Sequence, residues 1–121
     1  MATEEEIQIA AERAQQFQLS LGGAVPSFVK CMLPSHVSGG FWLGLPRNSC
    51  EDHLPNHDVI ITLVDLQGVR FETRYMSRKR GLCGGWRSFA LQHNLIHGDA
   101  LVFELTEPTV FRVHIFRAGD V

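Results

Sequence analysis

The chain has 121 residues, 45% of them hydrophobic and 20% charged; this composition is enough to bury a core, so the chain need not be disordered, and the length excludes two independent cores, since single domains run to roughly 100–150 residues. Eleven basic and thirteen acidic residues give a formal charge of −2, so the bulk charge points to no polyanionic partner. No apolar run approaches the roughly 18 residues of a membrane span, and the opening Met1-Ala2-Thr3-Glu4 lacks the basic and apolar regions of a signal peptide, so a soluble, intracellular chain without membrane association is expected.

Thr3 followed three positions later by Glu6 is a capping box, after which Ile7, Ala10, Ala14, Phe17 and Leu21 recur at helical spacing until Gly22-Gly23. A helix over about 4–20 is predicted. Its apolar face is small and rich in alanine, suited either to packing on the domain or to docking another chain. Beyond Pro26 the period changes to two. Strands are expected over 28–33 and 41–45, with a polar, glycine-bearing loop over 35–40 between them. Residues 47–54 have room for two helical turns before Pro55. Residues 59–64 are β-branched and nearly all apolar, the pattern of a strand buried on both faces. The turn Asp65-Leu66-Gln67-Gly68 joins it as a hairpin to a strand over 69–76. There Val69, Phe71, Thr73 and Tyr75 alternate with Arg70, Glu72, Arg74 and Met76, so one face is mainly apolar and the other mainly charged. Trp86, Phe89, Ala90 and His93 mark a short helix ending near Asn94, with Trp86 and Phe89 expected in the core rather than as a base-stacking platform. Residues 100–105 and 110–116 form a last hairpin around Pro108. Six or seven strands and two short helices suit a small barrel better than a sandwich.

Charge is unevenly distributed along the chain. Residues 1–20 hold Glu4, Glu5, Glu6 and Glu12 against Arg13, whereas Arg70, Arg74, Arg78, Lys79, Arg80 and Arg87 meet only Glu72. A near-neutral chain therefore carries one basic patch. By pattern alone, Arg78-Lys79-Arg80 fits a solvated loop at least as readily as a polyanion site. Cys31, Cys50 and Cys83 make an odd count without C-x-x-C spacing, which speaks for reduced thiols. Cys50, His53 and His57 have a spacing that suits zinc, yet no fourth donor lies nearby in sequence, and a cysteine is more often a small buried hydrophobe. Histidines, cysteines and carboxylates are scattered with no local catalytic signature, so no enzyme, no cofactor and no metal site is expected.

Several segments carry a family resemblance together. They are Phe28-Val29-Lys30, Leu33-Pro34-Ser35-His36-Val37, Leu43-Gly44-Leu45-Pro46, His53-Leu54-Pro55, Gly85-Trp86-Arg87-Ser88-Phe89, Asn94-Leu95 and Gly98-Asp99-Ala100-Leu101-Val102-Phe103. In order and spacing, residues 27–117 resemble the plant-specific B3 DNA-binding domain, most of all its reproductive-meristem type. The resemblance implies a mainly β fold: a seven-stranded open pseudobarrel with two short helices over residues 26–118, preceded by an N-terminal helical extension over 1–25. It implies that Cys50 and Leu54 face the barrel interior. It further implies that two arms grip double-stranded DNA in the major groove. The first arm corresponds to Lys30 and the loop with Ser35, His36, Ser38, Gly39 and Gly40, leaving through Trp42. The second corresponds to Ser77, Arg78, Lys79 and Arg80.

These residue types suit a duplex. Lys30 and the 78–80 cations displace counterions at phosphates, while serine hydroxyls and open glycine amides fix register on the backbone. Arg78 and Arg80 are candidate readers of guanine in the major groove. A short arm rich in cations and without amide readers favours weak sequence specificity, and His36 adds a donor and pH sensitivity where an acid is often found in the family. The expected setting is a transcriptional regulator in the nucleus. The alternative is a protein-interaction barrel that docks a partner, or a second copy, through the N-terminal helix without binding DNA.

Overall fold

The computed structural model describes residues 1–119. The first helix, α1 (Glu4–Leu21), begins where the capping box places it: the Glu6 N–H donates to Thr3 Oγ1 at 3.1 Å, and the Thr3 N–H donates to Glu6 Oε1 at 2.8 Å. It ends at Gly22, whose N–H donates to the Leu19 carbonyl and whose φ of +74° turns the chain out of the helix. Seven strands follow, interrupted by short helices: β1 (Ser27–Cys31), α2 (Pro34–Val37), β2 (Leu43–Gly44), α3 (Arg47–His53), β3 (Val59–Val64), β4 (Arg70–Met76), β5 (Gly81–Cys83), α4 (Trp86–Gln92), β6 (Ala100–Glu107) and β7 (Val110–Phe116).

The strands form one sheet in the order β1-β6-β7-β3-β4-β5-β2, antiparallel except for β3 beside β7. β1 and β2 each have a single partner strand, so the sheet curls into a half-barrel and stays open. Its interior holds Phe28, Met32, Leu43, Ile61, Leu63, Tyr75, Leu82, Trp86, Phe89, Leu101, Phe103 and Phe111, all buried. The rings of Phe28, Phe103 and Phe111 meet at centroid distances of 5.0–5.6 Å, a packing that adds to their area burial. Cys50 of α3 and Leu54 at its C-terminal cap face this interior, as the resemblance implies.

Both predicted hairpins are present. Asp65 holds the β3–β4 turn by accepting the N–H groups of Gln67 and Val69, and its second oxygen meets His93 Nε2 at 2.9 Å, tying the turn to α4. The reading of residues 59–64 as buried on both faces is corrected. Ile61 and Leu63 are fully buried, but Ile60 is 51% exposed: among the described residues, α1 packs on β1, β6 and β7 and α4 on β4 and β5, not on this face of β3.

The apolar face of α1, which the sequence leaves open to a partner, is closed by the protein itself. Ala10 and Ala14 are completely buried against Ala100, Val102 and Ala118, with Ile7, Phe17 and Leu21 packed around them. Alanine at i and i+4 lets the helix lie close on the outer face of β1, β6 and β7. The alternative of docking through this face thereby loses the surface it requires.

Candidate nucleic-acid interface

The first arm runs from β1 to β2. Lys30 stands half-buried near the end of β1, paired with Leu101 of β6. Residues 35–40, expected as a loop, begin instead with the single turn of α2. Pro34 supplies a preset first helical residue, and the His36 imidazole closes the turn by accepting the Leu33 N–H on Nδ1 at 3.0 Å. The His36 carbonyl accepts the Trp86 indole N–H at 2.8 Å, which anchors the arm to α4. His36 is only 7% exposed; burial, and then the nearby Lys30 ammonium, push its pKa down and keep the ring neutral. The expectation that His36 presents a donor to a duplex is corrected by this burial: Nδ1 is spent on the Leu33 N–H and the residue is almost wholly covered, so the side chain serves as a structural cap.

The other positions of this arm divide by what they have free. Ser35 is exposed. Ser38 gives both its hydroxyl proton and its N–H to the Pro34 carbonyl. Gly39, at a φ of +65°, and Gly40 stand in the open, with nothing within 4 Å of where a side chain would begin. Phe41 follows, also left-handed at +49°, and the Arg87 guanidinium lies 5.4 Å from its ring centroid, within the range of a cation–π contact. Arg87 thus brings α4's cation to the first arm. Its presence in the Gly85-Trp86-Arg87 segment was the available signal, but its neighbour 46 positions away was not readable from sequence.

The second arm is the tight turn between β4 and β5. Its root is fixed by Asp58, whose Oδ1 accepts both the N–H and the hydroxyl of Ser77 at 2.9 and 3.3 Å. Ser77 is thus occupied within the protein. The Arg80 N–H closes the turn on the Ser77 carbonyl, with Arg80 at a φ of +51°. Arg78 and Lys79 fill the two tip positions, exposed and without an ion-pair partner among the described residues. Arg80 differs. Its Nη2 lies 3.3 Å from Glu51 Oε2, the same oxygen that accepts from Arg47 Nε at 3.0 Å. Of the two arginines expected as candidate guanine readers, Arg80 is thus engaged within the protein.

The two arms are joined at their bases. Leu43 and Gly44 pair with Leu82 and Gly81, and the Leu45 N–H donates to the Arg80 carbonyl at 2.8 Å. Trp42 lies over Gly81 so closely that a Cβ there would sit 2.2 Å from its ring. A half-buried indole wedged on a glycine fixes where the first arm leaves relative to where the second begins. Sequence marked Trp42 as an arm residue; the structure makes it the joint.

The comparisons with known proteins agree with this architecture. The sequence pattern of the B3 DNA binding domain matches residues 28–119. The B3 domain-containing protein At5g42700 of Arabidopsis thaliana is 58% identical over 111 residues, covering 92% of this chain and 53% of its own length; the chain spans about half of that relative. Among solved structures, the hypothetical Arabidopsis thaliana protein At1g16640.1 superposes with a TM-score of 0.69 at 23% identity, covering 81% of this chain and 96% of that one. The Arabidopsis FUS3–DNA complex gives 0.56 at 24% identity, covering 76% and 97%. Seven strands in an open half-barrel, two short arms joined at Trp42 and Gly81, and a family match spanning three quarters of the chain lead to one conclusion: this protein belongs to the B3 DNA-binding domain family.

Proposed function

We propose that the chain binds double-stranded DNA through the major groove and serves in a plant transcriptional regulator in the nucleus. The observation that carries this reading is the pair Arg78 and Lys79, exposed and unpaired among the described residues at the tip of a turn whose base is fixed to the first arm. Cations held in this way neutralise phosphates without first breaking an internal ion pair. Lys30 and Arg87 add charge at the first arm, and Ser35 with the Gly39 and Gly40 amides supplies uncharged contacts to the backbone. Residues 26–118 form the DNA-binding unit in this reading, with 1–25 as an extension packed on its back. The family's description and a solved DNA complex of the same fold support it.

Most of these contacts address phosphate, so binding is expected to discriminate weakly between sequences. The test is the full chain carrying Arg78→Ala and Lys79→Ala, titrated into a fluorescent duplex at several salt concentrations. Affinity should fall, and the slope of log K against log salt should become shallower by about 0.9 for each phosphate that is no longer neutralised. Unchanged affinity and slope would reject the second arm as a DNA contact.

A further inference from the structure

Of the three cations of the second arm, Arg80 alone is held in an ion pair among the described residues. Its backbone is fixed on both sides, by its N–H on the Ser77 carbonyl and its carbonyl on the Leu45 N–H. Its guanidinium is held by Glu51 from α3, 29 residues away in sequence. Glu51 is itself anchored one helical turn along α3, because Arg47 Nε donates to the same carboxylate oxygen. The Arg47 hydrogen bond and charge keep the Glu51 carboxyl below the usual carboxylate range, so it is ionised throughout the neutral region. The Arg80 side chain remains 38% exposed while paired, and only one of its terminal nitrogens meets Glu51, so the rest of the guanidinium is open to a second acceptor. Beside it lies an open groove of about 310 Å³ between α3 and the arm, lined by Leu54, Asn56 and Tyr75 among others. Without Glu51 the arginine has room to swing into that groove or out towards phosphate.

We infer that Glu51 sets the direction from which Arg80 addresses DNA, and is a positioning residue for sequence discrimination; the inference rests on the DNA-binding reading above. Bidentate recognition of guanine needs a guanidinium in one orientation, and an arginine already held by a carboxylate loses less freedom when it docks. Arg78 and Lys79 carry no such restraint among the described residues, so they act as interchangeable clamps. The carboxylate has a cost, since a negative charge near the phosphate path weakens binding to every duplex alike. Glu51 thereby exchanges affinity for selectivity.

The experiment compares two duplexes, one chosen by the wild-type full chain from a random-sequence library and one a shuffled version of equal composition. Glu51→Gln removes the charge and keeps the shape. It should tighten binding to the shuffled duplex by roughly threefold through one freed cation, with a salt slope steeper by about 0.9. The preference for the selected duplex should fall by roughly fivefold or more, the worth of one bidentate base contact. Glu51→Asp keeps the charge but withdraws it by one methylene, and should lose the preference without the general tightening. In an Arg80→Ala background, Glu51→Gln should leave the preference unchanged. Equal tightening on both duplexes would show a mere counter-charge and overturn the inference, as would a wild type that prefers neither duplex. Failure of the wild type to bind either duplex at about 50 mM salt is a different result, which removes the DNA reading itself.

Discussion

His36 shows how far one residue's chemistry depends on what surrounds it. A histidine in a polar stretch beside a basic loop reads as a donor, yet the fold turns its Nδ1 to the Leu33 N–H and its carbonyl to Trp86. An imidazole that accepts a backbone proton must be neutral at that nitrogen, and its folded pKa lies below the ordinary value of about 6.5 because burial, then Lys30, disfavours the cation. The sign of the linkage follows. The folded state binds fewer protons here than the unfolded state, so this contribution to stability is fully present above the unfolded pKa and is lost as pH falls through the folded one. The urea midpoint should therefore drop between about pH 7.5 and 5 in the wild type, and His36→Gln should drop less over the same interval while being less stable at pH 7.5. Parallel pH profiles for the two proteins would refute a neutral capping role. The pattern that signals this cap is a proline at the first helical position with a polar side chain two residues later, and only the one-turn length of α2 hides it.

At the scale of elements, α1 is defined as much by its two smallest residues as by its cap. Ala10 and Ala14 are completely buried between the helix and the outer face of β6, so the separation of helix from sheet is set by methyl groups. Ala14→Leu keeps helix propensity and adds apolar bulk, but no space exists for it; overpacking should cost about 1–3 kcal/mol, seen as a lower urea midpoint with an unchanged slope. A helix used for docking a partner would instead tolerate the larger residue or be stabilised by it. Much of this level was legible in the chain. The capping box, the alternation in β4, and both hairpins stand at the predicted places, because each is encoded within about ten residues. What sequence could not show is tertiary in origin. β5 has three residues, too few for alternation to register, and forms only because β4 and β2 flank it. Ile60 looks like a core residue from its neighbours, and its exposure follows from where α1 stops covering the sheet.

At the scale of the whole molecule, the formal charge of −2 and the proposed partner have opposite implications, and geometry decides between them. The acids Glu4, Glu5 and Glu12 sit exposed on α1, over the outer face of β1, β6 and β7, while the second arm springs from β4 and β5 near the other end of the strand order. The cations of the arms were readable as a local excess, but the carboxylates that engage the second arm were not: Glu51 lies 29 residues from Arg80, and Asp58, which holds the root of the turn, lies 19 from Ser77. Only the fold shows which charges remain free. Counterion release depends on the phosphates neutralised at the interface and not on net charge. With Lys30, Arg78, Lys79 and Arg87 each neutralising one phosphate, log K should fall with log salt at a slope of about −3 to −4. Replacing Glu4, Glu5 and Glu12 by glutamine makes the net charge positive, yet that slope should hold, with at most a small gain in association rate from the altered long-range field. Anisotropy titrations across a series of potassium chloride concentrations measure both quantities. A slope near zero, or one that follows the glutamine substitutions on α1, would mean that the arms are not the surface on which the polyanion rests.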